Sequence, residues 1–227
     1  MSKRIMPVLF ILVVACVAKV FVGIEKSKVV FSDLPVSGKI IIIDPGHGGW
    51  DPGKAGLNGE DENEINLKIA ERIRDYLEQG GAFVYLTRQD DSALGKTKNE
   101  DMKKRIAYSR DENADLFISI HQNAFPSASA KGAQVFYYEK SNDGKAVAEC
   151  IQNRLVAFAD ESNTRVAKEN NNYYVLKNTD VPEVIIECGF LSNPDEEKRL
   201  NSEEDRDRLA WAVYMGIWDY FDGENFT

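Results

Sequence analysis

Only two histidines occur among the 227 residues, and each closes an apolar run. His47 follows Lys39-Ile40-Ile41-Ile42-Ile43-Asp44-Pro45-Gly46, and His121 ends Asp115-Leu116-Phe117-Ile118-Ser119-Ile120. A neutral imidazole is a common metal ligand and a proton carrier near neutral pH, so two delivered in the same way point to one shared site. Carboxylates supply the remaining chemistry: Glu60, Asp61, Glu62 and Glu64 cluster after the first histidine, and Glu187 ends the run Val184-Ile185-Ile186. The three cysteines, Cys16, Cys150 and Cys188, have no zinc-type spacing. Any metal must therefore be held by histidine and carboxylate. Serine hydrolysis is disfavoured, because the chain contains no Gly-x-Ser-x-Gly elbow.

These residues need elements to position them. The four isoleucines before His47 are a short β-branched run closed by turn residues, which predicts a strand buried on both faces, as in a parallel sheet covered by helices. His47 then sits past the strand's C-terminal end, where open α/β sheets gather their ligands. The turn-rich stretch 48–59 is too long for a simple connection and reads as a functional loop. The acidic cluster opens a helix whose apolar positions Ile65, Ile69, Ile73, Tyr76 and Leu77 recur at helical spacing, with Gly80-Gly81 ending it. Acids in a first turn favour the helix dipole, so capping and solvation account for most of the four, with one available as a ligand.

Beyond this helix the pattern alternates: strand 82–87, helix near 101–113, strand 116–121, strand 133–138, helix 144–160, strand 184–187 with a turn starting at Gly189, and a closing helix near 203–221. This predicts an α/β fold: a single domain built on a mostly parallel twisted sheet of about six strands with helices on both faces. Cys150 and Cys188 read as small core residues, and Asn170-Asn171-Asn172 as a solvent-facing loop.

With 43% apolar residues the chain can bury one sizeable core. Its N-terminus places Lys3 and Arg4 before a long apolar stretch interrupted by Lys19, so residues 1–24 read as an export signal or membrane anchor. Residues 25–38 read as a linker and 39–222 as the domain. The formal net charge is −9, and residues 1–22 carry three cations and no acid, leaving −12 on the remainder. Nucleic acid is therefore excluded as a partner, since its binding rests on Lys and Arg contacts to phosphate. Contact with a membrane is expected only through the N-terminal segment.

The motifs Asp44-Pro45-Gly46-His47-Gly48-Gly49, Glu62 before Asn66-Leu67, Thr87-Arg88, Ser119-Ile120-His121-Gln122-Asn123 and Glu187-Cys188-Gly189-Phe190-Leu191-Ser192-Asn193 occur in that order over nearly all of residues 39–221. Together they resemble the zinc-dependent N-acetylmuramoyl-L-alanine amidases. The resemblance implies that His47, Glu62 and His121 bind zinc, that Glu187 is the catalytic carboxylate, and that the substrate is the amide between N-acetylmuramic acid and L-alanine in peptidoglycan. Only the resemblance selects Glu62 over its acidic neighbours. Two imidazoles and one carboxylate would leave a fourth tetrahedral position open, as in catalytic rather than structural zinc sites.

Arg88 either orients the site, binds a substrate carboxylate or is a structural salt-bridge partner, and Asn123 either binds substrate amides or shapes a turn. No wall-binding repeat or long inhibitory insertion is evident, which makes the chain similar to the spore-cortex amidases. That similarity implies action outside the membrane, in the cortex, ahead of muramic-δ-lactam formation and germination. With a long, flexible loop before Glu62, an accessory protein that orders or delivers the site is also expected. The rival readings are a zinc peptidase or carboxypeptidase acting on stem peptides, and a non-catalytic peptidoglycan-binding protein of the same fold.

Overall fold

The computed structural model describes residues 34–223; the expected export segment and most of the linker lie outside them. Six strands form one sheet: β1 (Ile40–Pro45), β2 (Phe83–Leu86), β3 (Leu116–Asn123), β4 (Gln134–Tyr137), β5 (Lys168–Glu169) and β6 (Glu183–Phe190). Their order across the sheet is β2-β1-β3-β6-β4-β5, and only the β4–β6 pairing is antiparallel. The helices are α1 (Glu62–Gln79), α2 (Lys98–Asp111), α3 (Asn142–Arg154), α4 (Tyr174–Asn178), α5 (Pro194–Leu200) and α6 (Glu203–Asp222). None of the described helices is long and apolar enough to cross a membrane.

The period of two along each strand divides the core. Ile41, Ile43, Leu116, Ile118, Ile120, Val184 and Ile186 face α1, α3 and α6, whose Ile65, Ile69, Ile73, Val147, Ile151, Val213 and Ile217 complete the main cluster. At the α3–α6 crossing a Cβ on Gly216 would lie 2.4 Å from Ile151 Cα, so the small residue sets how closely the two helices approach. The alternate residues make two smaller clusters on the opposite face. Ile42 and Phe117 pack with Ala114, and Phe136 and Ile185 pack with Leu176 of α4. Both faces are thus covered, as expected, but the second carries polar residues between its two clusters: Asp44 pairs in register with Ser119, and His121 with Glu187.

Three expected boundaries shift. Helix α2 starts at Lys98 rather than near residue 101, because the Thr97 side chain accepts the Glu100 N–H and caps it. The helix expected over 144–160 ends at Arg154 and continues as a π-helical turn, Leu155–Ala159. Strand β6 runs on to Phe190, so Gly189 lies within it rather than opening a turn. Between the pairs His121↔Glu187 and Asn123↔Phe190 one extra residue is inserted on β6. Such a bulge twists the strand locally and re-aims its side chains. The chain also forms β5, α4 and α5, elements too short to leave a periodic signal. Cys150 and Cys188 are buried and unpaired, as expected of core residues, and burial pushes the Cys188 thiol up to about 12.

Candidate active site

The site is built where β1 and β3 end. His47 adopts a left-handed backbone (φ 63°), uncommon outside glycine. Glycines at 48 (φ 127°) and 49 (φ 60°) continue the turn, which closes through the Gly48 N–H to the Asp51 carbonyl at 2.8 Å. Two guanidinium groups hold the strand end behind it. Arg105 donates to the carbonyls of Pro45 (2.8 Å) and His47 (2.6 Å), and to the carboxylates of Asp44 (2.7 Å) and Asp101 (2.6 Å). Arg88 donates to the carbonyls of Pro45 (2.9 Å), Gly46 (3.0 Å), Asn63 (2.7 Å) and Asp90 (2.9 Å). Asp44 also accepts from Thr87 (2.5 Å) and Ser119 (2.8 Å). Burial opposes the charge of Asp44, but Arg105 and these hydroxyls outweigh it and hold the carboxyl below its ordinary range.

Glu62, the first residue of α1, gathers both histidines around one oxygen. Its Oε1 lies 3.2 Å from His47 Nε2 and 3.1 Å from His121 Nδ1, and it accepts the Gln122 N–H at 3.1 Å. Oε2 accepts the Lys54 N–H at 2.8 Å. Burial works against the charge of Glu62, yet the two imidazoles overcome it and hold this carboxyl far below the usual range. On the far side of the His47 ring, Asp51 Oδ2 lies 3.0 Å from Nδ1, which leaves Nε2 for the site. The rings of His47 and His121 meet nearly edge-on with centroids 5.0 Å apart.

One ligand atom from each of His47, Glu62 and His121 lies within 4.8 Å of the other two. Two imidazole nitrogens and one carboxylate oxygen make a donor set suited to zinc. Close backbone approach shapes the cradle. A Cβ on Gly46 would fall 2.2 Å from the His121 ring, and one on Gly53 2.5 Å from Glu62 Oε2. The acidic neighbours that spacing left open take other places. Glu60 pairs with Lys68, Asp61 accepts the Gly56 N–H at 3.0 Å, and Glu64 is exposed.

Glu187 reaches the same site from β6 and is 7% exposed. Its Oε1 accepts from the Tyr173 hydroxyl at 3.2 Å, and its Oε2 is buried without a hydrogen-bond partner. Burial pushes this carboxyl above its ordinary range. The Glu62 charge adds to the rise, while His121, Tyr173 and His47 take back part of it. A cavity of about 440 Å³ connects these groups, its lining including Trp50, Lys98, Met102, Asn123, Tyr173 and Tyr174 besides the two histidines and Glu187.

Two expectations change here. Arg88 is 3% exposed and does not line the cavity. Its donors are spent on carbonyls, so of the expected roles it takes the orienting one, bracing the β1 turn, and neither meets a substrate carboxylate nor forms a salt bridge. The loop before Glu62, expected to be flexible, is tied down. Glu197 accepts the N–H groups of Asn58 (2.7 Å) and Gly59 (3.1 Å), and Asn201 accepts that of Glu60 (3.0 Å). Asn123 does line the cavity, with its Oδ1 accepting the Ala124 N–H at 2.8 Å. Sequence reasoning gave no part to Asp51, Arg105 or Tyr173. Arg105 occupies an ordinary charged position of a helix, and besides Asp101 on that helix its partners come from β1 and the turn after it, 58 to 61 residues away.

A family model described as N-acetylmuramoyl-L-alanine amidase matches residues 41–219. The germination-specific N-acetylmuramoyl-L-alanine amidase of Bacillus subtilis (strain 168) is 42% identical over 196 residues, covering 83% of this chain and 82% of that protein. Among solved structures, the CwlD amidase from Clostridioides difficile in complex with the GerS lipoprotein is 41% identical with a TM-score of 0.79, covering 82% of this chain and 100% of that one. An N-acetylmuramoyl-L-alanine amidase from Clostridium difficile 630 is 30% identical with a TM-score of 0.75, covering 83% of this chain and 100% of that one.

Proposed function

The chain belongs to the N-acetylmuramoyl-L-alanine amidase family, and from that premise we propose that it is a zinc enzyme cutting the amide between N-acetylmuramic acid and L-alanine in peptidoglycan. The observation that carries the zinc assignment is the convergence of His47 Nε2 and His121 Nδ1 on Glu62 Oε1. These three atoms would hold the ion. When bound, zinc supplies Lewis acidity and lowers the pKa of a water from 15.7 to about 7, enough for attack on a carbonyl at neutral pH.

The chain's own residues do the rest. Arg105 holds the His47 backbone, and the Asp51 carboxylate lies 3.0 Å behind the ring at Nδ1. Glu187 takes a proton from the attacking water at its carboxylate and returns it to the amide nitrogen as the C–N bond breaks. A carboxyl that lines the same cavity as the two histidines is placed to hold that proton between the two steps. The products are a free lactyl carboxylate and a peptide with a new amino terminus on L-alanine.

The germination-specific relative supports a substrate in the spore cortex, where freeing the lactyl carboxylate would precede muramic-δ-lactam formation. That setting agrees with residues 1–24 acting as an export signal or anchor and 25–38 as a linker, which place the domain outside the membrane. The complex of CwlD with a lipoprotein supports an accessory partner that delivers the domain to its substrate.

Mass spectrometry of peptidoglycan digested by the zinc-loaded protein tests the reaction. Peptides beginning with L-alanine are expected. Cuts within the stem peptide would identify a peptidase, and binding without release would identify a non-catalytic wall protein.

A further inference from the structure

Beside Glu187 stands a side chain that the reaction above leaves unused. Tyr173 precedes α4 and is fixed from several directions. Its N–H donates to Asn170 Oδ1 at 3.3 Å, and the Asn172 N–H donates to the same oxygen at 2.8 Å. Its ring meets that of Phe136 nearly edge-on, with centroids 5.7 Å apart. Phe136 pairs with Ile185 and Gln134 with Glu187, so the ring bracing Tyr173 is placed by the same register that places the glutamate. From there the Tyr173 hydroxyl donates to Glu187 Oε1 at 3.2 Å, while Oε2 is left buried and without a partner. The terminal torsion of a glutamate is soft. Anchoring one carboxylate oxygen therefore fixes the direction of the other.

We propose that Tyr173 is a positioning residue for the amide hydrolysis, its hydroxyl holding Glu187 Oε1 and so fixing the orientation of a carboxylate that lines the cavity shared with His47, Glu62 and His121. The proposal rests on the reading of Glu187 as the proton shuttle. It adds a requirement that the shuttle alone does not have: a hydroxyl at position 173.

Tyr173→Phe removes one oxygen and keeps the ring against Phe136. A hydrogen bond to a charged group that is needed in the transition state predicts a fall in kcat of about tenfold or more. KM, zinc content and melting temperature should stay close to the unsubstituted protein. In a Glu187→Gln background the same change should cost nothing further, because Tyr173 acts through the carboxylate. A kcat for Tyr173→Phe equal to that of the unsubstituted protein would overturn the proposal. So would a loss that multiplies fully with that of Glu187→Gln. Near-normal turnover in Glu187→Gln alone would instead overturn the assignment of Glu187, and this inference with it.

Discussion

Glu62 serves four partners through two oxygens: two imidazoles and the N–H groups of Gln122 and Lys54. Replacing one oxygen by an amide NH₂ keeps the shape but sets a donor against donors and removes the negative charge the metal needs. Glu62→Gln is expected to weaken zinc binding by at least the roughly tenfold that losing an outer-shell partner costs, and so to lower the zinc content of the purified protein. Glu60→Gln and Glu64→Gln should leave it unchanged, because those side chains point elsewhere; metal analysis of the three purified variants checks this. Equal zinc in Glu62→Gln and the unsubstituted protein would move the carboxylate ligand to another residue. At this scale the histidines were legible because both are rare and both end apolar runs. Glu62 was legible only through its family motif, since four acids within five residues look alike to periodicity. Asp51 and Tyr173 left no such mark, because their roles depend on contacts that a turn and an inter-strand register create.

Strands β1 and β3 end side by side, and the fit between them is tight enough to exclude a methyl group. A Cβ on Gly46 would lie 2.2–2.7 Å from three atoms of the His121 ring. Gly46→Ala should therefore push that imidazole out of line. Turnover should fall by about 10²-fold or more with the fold retained, since displacements near 1 Å at a reacting centre cost that much. A variant with unchanged kcat would show that His121 has room to spare. The long strands and helices followed from their hydrophobic periods, including the alternation that separates the two core clusters. Their precise ends did not. The Thr97 cap, the π-helical turn after Arg154 and the bulge between β3 and β6 are set by single hydrogen bonds or one inserted residue, which average hydropathy does not register.

Across the whole molecule, charge buried on the second face of the sheet links stability to pH. Glu183, 3% exposed at the start of β6, accepts a hydrogen bond from Thr179 and has one oxygen without a partner. Burial pushes its carboxyl up to about 8, against an ordinary value of 4.5; the Thr179 bond lowers it and the Asp44 charge raises it. Between these values the folded protein binds the proton that the unfolded chain releases, so stability falls as pH rises from about 4.5 through 8. Glu183→Gln should remove that slope. Its melting temperature should gain on the unsubstituted protein from pH 5 to about pH 8 and level off above that, and a constant difference across this range would contradict the assignment. The sheet order, the placement of the site at the strand ends and the family motifs make one account, in which zinc at His47, Glu62 and His121 is required for cutting the muramoyl–alanine bond. The most direct test is release of peptides beginning with L-alanine from peptidoglycan by the chelator-stripped protein as zinc is restored. Release should be absent without zinc and should saturate at one zinc per chain, whereas release that continues undiminished after chelation would contradict the account.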